Sequence, residues 1–171
     1  MSDLDIVALV LAEHEAIRRD FSALDGATGD ELAGKWDELA ARLEVHASAE
    51  EEMLYPELLA VGGRSGDQAA HDETDDAIRD HNEIRDTAHA VAGHEVGSDD
   101  WWSAVRSCQE ANEHHLSEEE RDVLPDLRAN AEQSELDTLG ERWLAFHDEH
   151  ENAKGLSGED KDPERYVEEN S

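Results

Sequence analysis

The chain has 171 residues, enough for one domain with a real core, and 46 Asp and Glu set against 14 Lys and Arg give it a formal net charge of −32. Such a surface repels phosphate backbones and anionic lipid headgroups, which argues against nucleic acids and membrane surfaces as partners. No apolar run approaches the roughly 18 residues of a membrane span, Met1–Asp5 carries two acids and no base, and the single Cys108 cannot form an internal disulfide, so a cytoplasmic protein is expected.

High charge with low hydrophobicity also describes disordered chains. Here the apolar residues fall in regular stripes, so the acidity reads as halophilic adaptation to a salt-rich cytoplasm whose counter-ions screen the self-repulsion.

The first stripe is Leu4, Val7, Leu11, His14, Ile17, Phe21 and Leu24, at intervals of three or four, and predicts an amphipathic helix. Gly26 and Gly29 close it, and Asp30 can cap the next helix. A second stripe runs Leu32, Trp36, Leu39, Leu43, His46, Glu50 and Met53. Pro56 then predicts a kink or an early stop, and Gly62–Gly66 a break. Thr74, Ile78, His81, Ile84, Ala88 and Val91 mark a third helix, ending near Gly93 and Gly97. Ser98 or Asp99 caps a fourth, with Trp101, Val105, Cys108, Asn112, His115 and Glu119 on one face, followed by Pro125. A shorter segment carries Leu136, Leu139, Trp143 and Phe146 and can lie across one end.

Short loops between the four long helices predict an all-α, up-and-down antiparallel four-helix bundle with a short fifth C-terminal helix. Residues 1–153 make that domain, and residues 154–171 form an acidic tail expected to be unstructured.

Each long stripe contains polar residues where a core needs apolar ones, and an internal repeat relates them. A shift of 69 lays His46–Pro56 on His115–Pro125, matching His46, Glu50 and Pro56 with His115, Glu119 and Pro125. A shift of 67 lays His14 on His81 in the preceding helices. Each half therefore offers a lone His and a His-x-x-x-Glu. Positions i and i+4 share one helix face, so both ligands of such a pair point inward at adjacent levels. Unpaired buried carboxylates are costly, and a cation removes that cost.

The pattern suits two ions about 3.5–4 Å apart. His14 and His46 are assigned to one, His81 and His115 to the other, and Glu50 and Glu119 to bridging positions. His71–Asp75, His114–Glu118 and His147–Glu151 share the spacing but lack the apolar stripe and the matched proline. Imidazole and carboxylate donors suit Fe, and also Zn or Mn, better than Cu(I) or an iron–sulfur cluster. Cys108 reads as core packing, Tyr55 as packing beside Pro56, and Trp36, Trp101, Trp102 and Trp143 as core or end-capping residues.

Over Leu4–His150 this pattern resembles the hemerythrin HHE cation-binding family, most specifically in the two His-x-x-x-Glu segments that end in Tyr55-Pro56 and Leu124-Pro125. Leu139-Gly140-Glu141-Arg142 also looks familial. The resemblance implies a non-haem di-iron centre, oxo- or hydroxo-bridged in some states, held by His14, His46, Glu50, His81, His115 and Glu119. It further implies a diatomic or peroxide ligand and activities that centre on oxygen, peroxide, nitric oxide or iron. Oxygen-carrying hemerythrins have a second His one turn after the third-helix ligand and a final Asp in His-x4-Asp. This chain has Arg85 and Glu119 there, so reversible oxygen carriage is not implied. A redox or oxygen sensor signalling through the same centre is the alternative. A ferritin-like store ranks below both, because no Glu here has a His three residues later.

Overall fold

A computed structural model of the chain describes residues 4–65 and 68–171, and among these it contains helices and no strand. The helices are α1 (Ile6–Leu24), α2 (Gly29–Ala49), α3 (Tyr55–Ser65), α4 (Ala69–Val91), α5 (Asp99–Glu118), α6 (Leu124–Asn130), α7 (Gln133–Glu149) and α8 (Pro163–Asn170). Two π-helical turns, Glu50–Leu54 and Glu119–Val123, join α2 to α3 and α5 to α6 without a break. No described helix is long and apolar enough to cross a membrane.

Local chemistry sets the ends. The Asp5 carboxylate caps α1 by accepting from the Val7 and Ala8 amides at 2.9 and 3.3 Å. Ser98 caps α5 through the Trp101 amide. Asp30, expected as a cap, lies in the first turn of α2, where its charge faces the positive end of the helix dipole. Pro56 does not stop its helix. In each π-turn the amide bonds a carbonyl five residues back, Tyr55 to Glu50 and Leu124 to Glu119, and the proline then falls in the first turn of the next helix, where an N–H is dispensable. The helix continues to Ser65, through most of the expected break at Gly62–Gly66; its last residue, 66, lies outside the described residues.

Helix α1 packs on α2 and α7, α4 on α5, α3 and α8, and α2 also on α4 and α7. The α1 stripe needs one correction. Leu4 and Leu11 are exposed, and Ile6 and Val10 are buried in their place. That face meets Leu136, Leu139 and Trp143 of α7, a neighbour that rotates the buried stripe. At the crossing, a Cβ on Gly140 would lie 1.5 Å from the Leu4 carbonyl oxygen, so only glycine admits this approach.

The apolar interior is divided. One cluster gathers Val10, Met53, Leu58, Ile78, Leu127 and Trp143 among others; the second gathers Ile17, Phe21, Leu43, Ile84, Trp101 and Leu116. Along α1, Val10 belongs to the first and Ile17 to the second, with His14 between them; along α4, Ile78 and Ile84 flank His81 in the same way.

The C-terminal tail also departs from expectation. Residues 163–170 form α8, whose start is signalled by Asp162, which accepts from the Arg165 amide at 2.8 Å, followed by Pro163. Tyr166 anchors α8 in the first apolar cluster. The ring buries apolar area there while its hydroxyl donates to the Glu51 carbonyl, which ties this short charged helix to the body of the protein.

Candidate metal centre

His14, His46, Glu50, His81, His115 and Glu119 meet in the layer between the two apolar clusters, all of them buried. They come from α1, α2, α4, α5 and the first residues of the two π-turns. A π-turn re-aims the side chains that begin it, and here both begin at an inward Glu.

The donor atoms form two groups. His14, His46, Glu50 and Glu119 bring one atom each within 4.8 Å of one another, and so do Glu50, His81 and His115. Glu50 belongs to both. Its Oε1 lies 2.9 Å from His46 Nε2 and 4.0 Å from His14 Nε2, while its Oε2 lies 3.1 Å from His81 Nε2 and 3.7 Å from His115 Nε2. Glu119 is placed differently. Its Oε2 lies 3.2 Å from His14 Nε2 and 3.7 Å from His115 Nε2, and its Oε1 accepts the Tyr55 hydroxyl at 2.5 Å.

Several of these atoms make close contacts but no hydrogen bond. His14 Nε2, His46 Nε2, Glu50 Oε1 and Glu119 Oε2 are buried with no hydrogen bond of acceptable geometry. Buried polar groups are nearly always satisfied, so a cluster of inward-facing donors left unsatisfied fits a cation. A third cluster, Asp80, His114 and Glu118, includes an exposed His114 on the surface and reads as a solvated acidic patch.

The outer imidazole nitrogens obey the same internal repeat. Glu13 faces His46 Nδ1 at 3.3 Å, and its counterpart 67 residues on, Asp80, faces His115 Nδ1 at 3.5 Å. Glu51 lies 2.9 Å from His81 Nδ1, and its counterpart 69 residues on, Glu120, lies 2.9 Å from His14 Nδ1. Arg85 backs Glu51 and Glu44; Arg18 backs Glu120 and Glu113. Arg85, in the place where an oxygen carrier has a ligand His, thus turns to these carboxylates. Sequence reasoning missed this ring of partners, although the 67 and 69 shifts that relate the ligands relate the partners as well. Such partners fix ring orientation and tautomer at metal sites.

Without a cation, protons balance the carboxylates. Burial alone would lower the His115 imidazole, but Glu119, Asp80 and Glu50 outweigh it and push His115 up to about 10. Burial opposes a charge on His46 as well, yet Glu50 and Glu13 hold it well above its ordinary value. Glu50 sits well below the usual carboxylate range because His46, His115 and His14 overcome its desolvation. Tyr55 is raised by burial and by Glu119 and Glu50, so it stays a phenol that donates. Cys108, buried away from this layer, is pushed up to about 11 by desolvation.

A cavity of about 180 Å³ leads to the centre, lined mainly by acids (Glu73, Asp76, Asp80, Glu118 and Asp122) with Arg121 among them, and with His115 and Glu119 also on its wall.

Fold and layer together define a helical protein built to hold metal cations. A hemerythrin HHE cation-binding domain matches residues 5–127, and the chain belongs to that family. Comparisons with curated proteins and with solved structures return no significant match.

Proposed function

We propose that the chain is a hemerythrin-like protein whose up-and-down antiparallel four-helix bundle holds two Fe ions and binds or reacts with oxygen, peroxide or nitric oxide. The observation that carries this is the buried layer of imidazole and carboxylate atoms between two apolar clusters, unsatisfied around His14 and His46 and turned only on one another around His81, His115 and Glu50. His14 and His46 hold one ion, His81 and His115 the other. Glu50 offers one oxygen to each pair, and Glu119 Oε2 faces one imidazole of each.

Bound iron supplies a redox-active Lewis acid with positions left for a small ligand. The chain's own part is orientation and exclusion. Glu51 and Glu120 hydrogen-bond the outer nitrogens of His81 and His14, Glu13 and Asp80 lie against those of His46 and His115, the apolar clusters keep bulk water out, and Tyr55 holds Glu119 by its outer oxygen. The acid-lined cavity favours cations and neutral molecules over anions as traffic to the centre. Iron handling is a further use of the same route, and Zn or Mn fit the same donors.

Metal analysis of natively purified protein, with an ultraviolet–visible spectrum taken with and without oxygen, tests the proposal. Two irons per chain and an oxygen-dependent charge-transfer band are expected; less than one transition ion per chain defeats it.

A redox sensor is the second reading, favoured by the seating of the C-terminal helix beside Glu51, which gives the centre a mechanical outlet. We also read the net charge of −32 as salt adaptation. The melting temperature then rises in molar KCl, and one that does not move contradicts that reading.

A further inference from the structure

The residues that follow α7 return to the centre. The chain reverses through left-handed Asn152 and Ala153, at φ 57° and 60°, and Gly155 at φ 77°. Asn82, next to His81, then grips the backbone of Lys161 twice. Its Nδ2 donates to the Lys161 carbonyl at 2.7 Å, and its Oδ1 accepts from the Lys161 amide at 3.0 Å. So held, the Lys161 ammonium pairs with Glu51 Oε2. One turn into α8, the Tyr166 hydroxyl donates to the Glu51 backbone carbonyl at 2.5 Å. In a π register that carbonyl would look five residues on, to Pro56, which has no N–H to give.

Glu51 is therefore gripped by the C-terminal segment at both side chain and backbone. It is also the residue against the outer nitrogen of His81 and the neighbour of Glu50. We propose that residues 154–171 form a clasp in which Lys161 and Tyr166 act as positioning residues for the His81–His115 half of the metal centre, through Glu51. The inference rests on the metal-centre reading above. It assigns a role to a stretch beyond residues 5–127, which the family match covers.

The repeat supplies the control within the molecule. Glu120, the counterpart of Glu51, is 30% exposed and its Arg18 27%, whereas Glu51 and Arg85 are 1% and 4% exposed. Behind His115 and His46 the order reverses, with Asp80 at 16% and Glu13 at 9% exposed, so any advantage of the clasped half comes through Glu51 and His81; through them that half fills first, and loosening the clasp weakens that step alone.

The test is titration of the metal-free full-length chain with Co²⁺, followed by its visible ligand-field bands, for the parent, Tyr166→Phe, Lys161→Met and Lys161→Arg. The parent is expected to bind in two steps. Tyr166→Phe and Lys161→Met each weaken the first step about tenfold and shift its bands, the second step moves less than about twofold, and Lys161→Arg restores the parent. A purely electrostatic role gives the opposite sign, since losing a cation tightens cation binding, and tighter binding in Lys161→Met overturns the clasp. So does an equal loss in both steps that tracks the melting temperature of the metal-free chain, which marks a structural role only. Two unaltered steps overturn the clasp and leave the metal centre standing. No Co²⁺ binding by the parent removes both.

Discussion

The two halves of the centre are copies in sequence and unequal in surroundings. Around His14 the supporting charges reach solvent, through Glu120 and Arg18, while Glu13 behind His46 is nearly buried, and α7 covers the flank, with His147 Nε2 2.9 Å from Glu13 and the Trp143 ring 5.6 Å from that of His46. Around His81 and His115 the matching pair Glu51 and Arg85 is buried, and α8 covers it. A duplicated donor set thus becomes asymmetric through what the C-terminal helices α7 and α8 lay over it. The lesson is that equal ligands do not make equal sites, because burial decides how firmly each is held.

That comparison can be broken or sharpened in steps. The largest effect is expected from Glu50→Ala, because Glu50 alone gives an oxygen to each half; both metals are lost in stoichiometry measurements, whereas His115→Ala loses one. Retention of one metal in Glu50→Ala would mean that the halves are independent. Next comes the matched pair Glu51→Gln and Glu120→Gln. The first strands Arg85 and Lys161 beside a buried amide and costs about 3 kcal/mol in chemical denaturation. The second acts on a partly exposed pair and costs at most about 1 kcal/mol. Equal costs would erase the distinction.

A smaller effect is expected from pH on the metal-free chain, where raised imidazoles and depressed carboxylates of both halves shape the alkaline and acid limbs. His115 rises in the fold from 6.5 to about 10, so its contribution is complete below about pH 6.5 and is lost as pH climbs through 10. Glu13, beside His46, is held near 2 against 4.5: burial opposes this, but His147 and His46 prevail. Its contribution is present above about pH 4.5 and disappears as pH falls toward 2. The melting temperature should therefore decline on both sides, and Asp80→Asn should shift the alkaline limb and spare the acid one. Least is expected of Tyr55→Phe, about 1 kcal/mol with both metals retained but the optical bands displaced, since its hydroxyl touches Glu119 and the repeat has Leu124 in its place.

Much of this was legible in the residues. Polar interruptions in four apolar stripes named six side chains that the fold does bring together, because helical periodicity is a local property and one repeat imposes its geometry twice. The stripe of α1 was misjudged at Leu4 and Leu11, since the helix that covers that face, α7, lies over 100 residues away and the local spacing of three and four fits either register. Pro56 left a kinked continuation and an early stop both open, and the choice between them lay in the π-turn, an accommodation of backbone hydrogen bonding with no side-chain signature beyond the proline itself. Tail order was missed because composition outweighed one Asp-Pro start and one tyrosine.

The polar layer also bears on how the molecule comes apart. An interior split into two apolar bodies by a stratum of charges has no continuous oil phase to transmit unfolding from end to end. Cooperativity must cross that stratum through imidazoles and carboxylates, and a cation that ties four helices together is the rivet between the bodies. Deprived of it, the bundle is set to melt as two loosely coupled blocks, with calorimetric and van't Hoff enthalpies that part company; reloaded, it should melt as one.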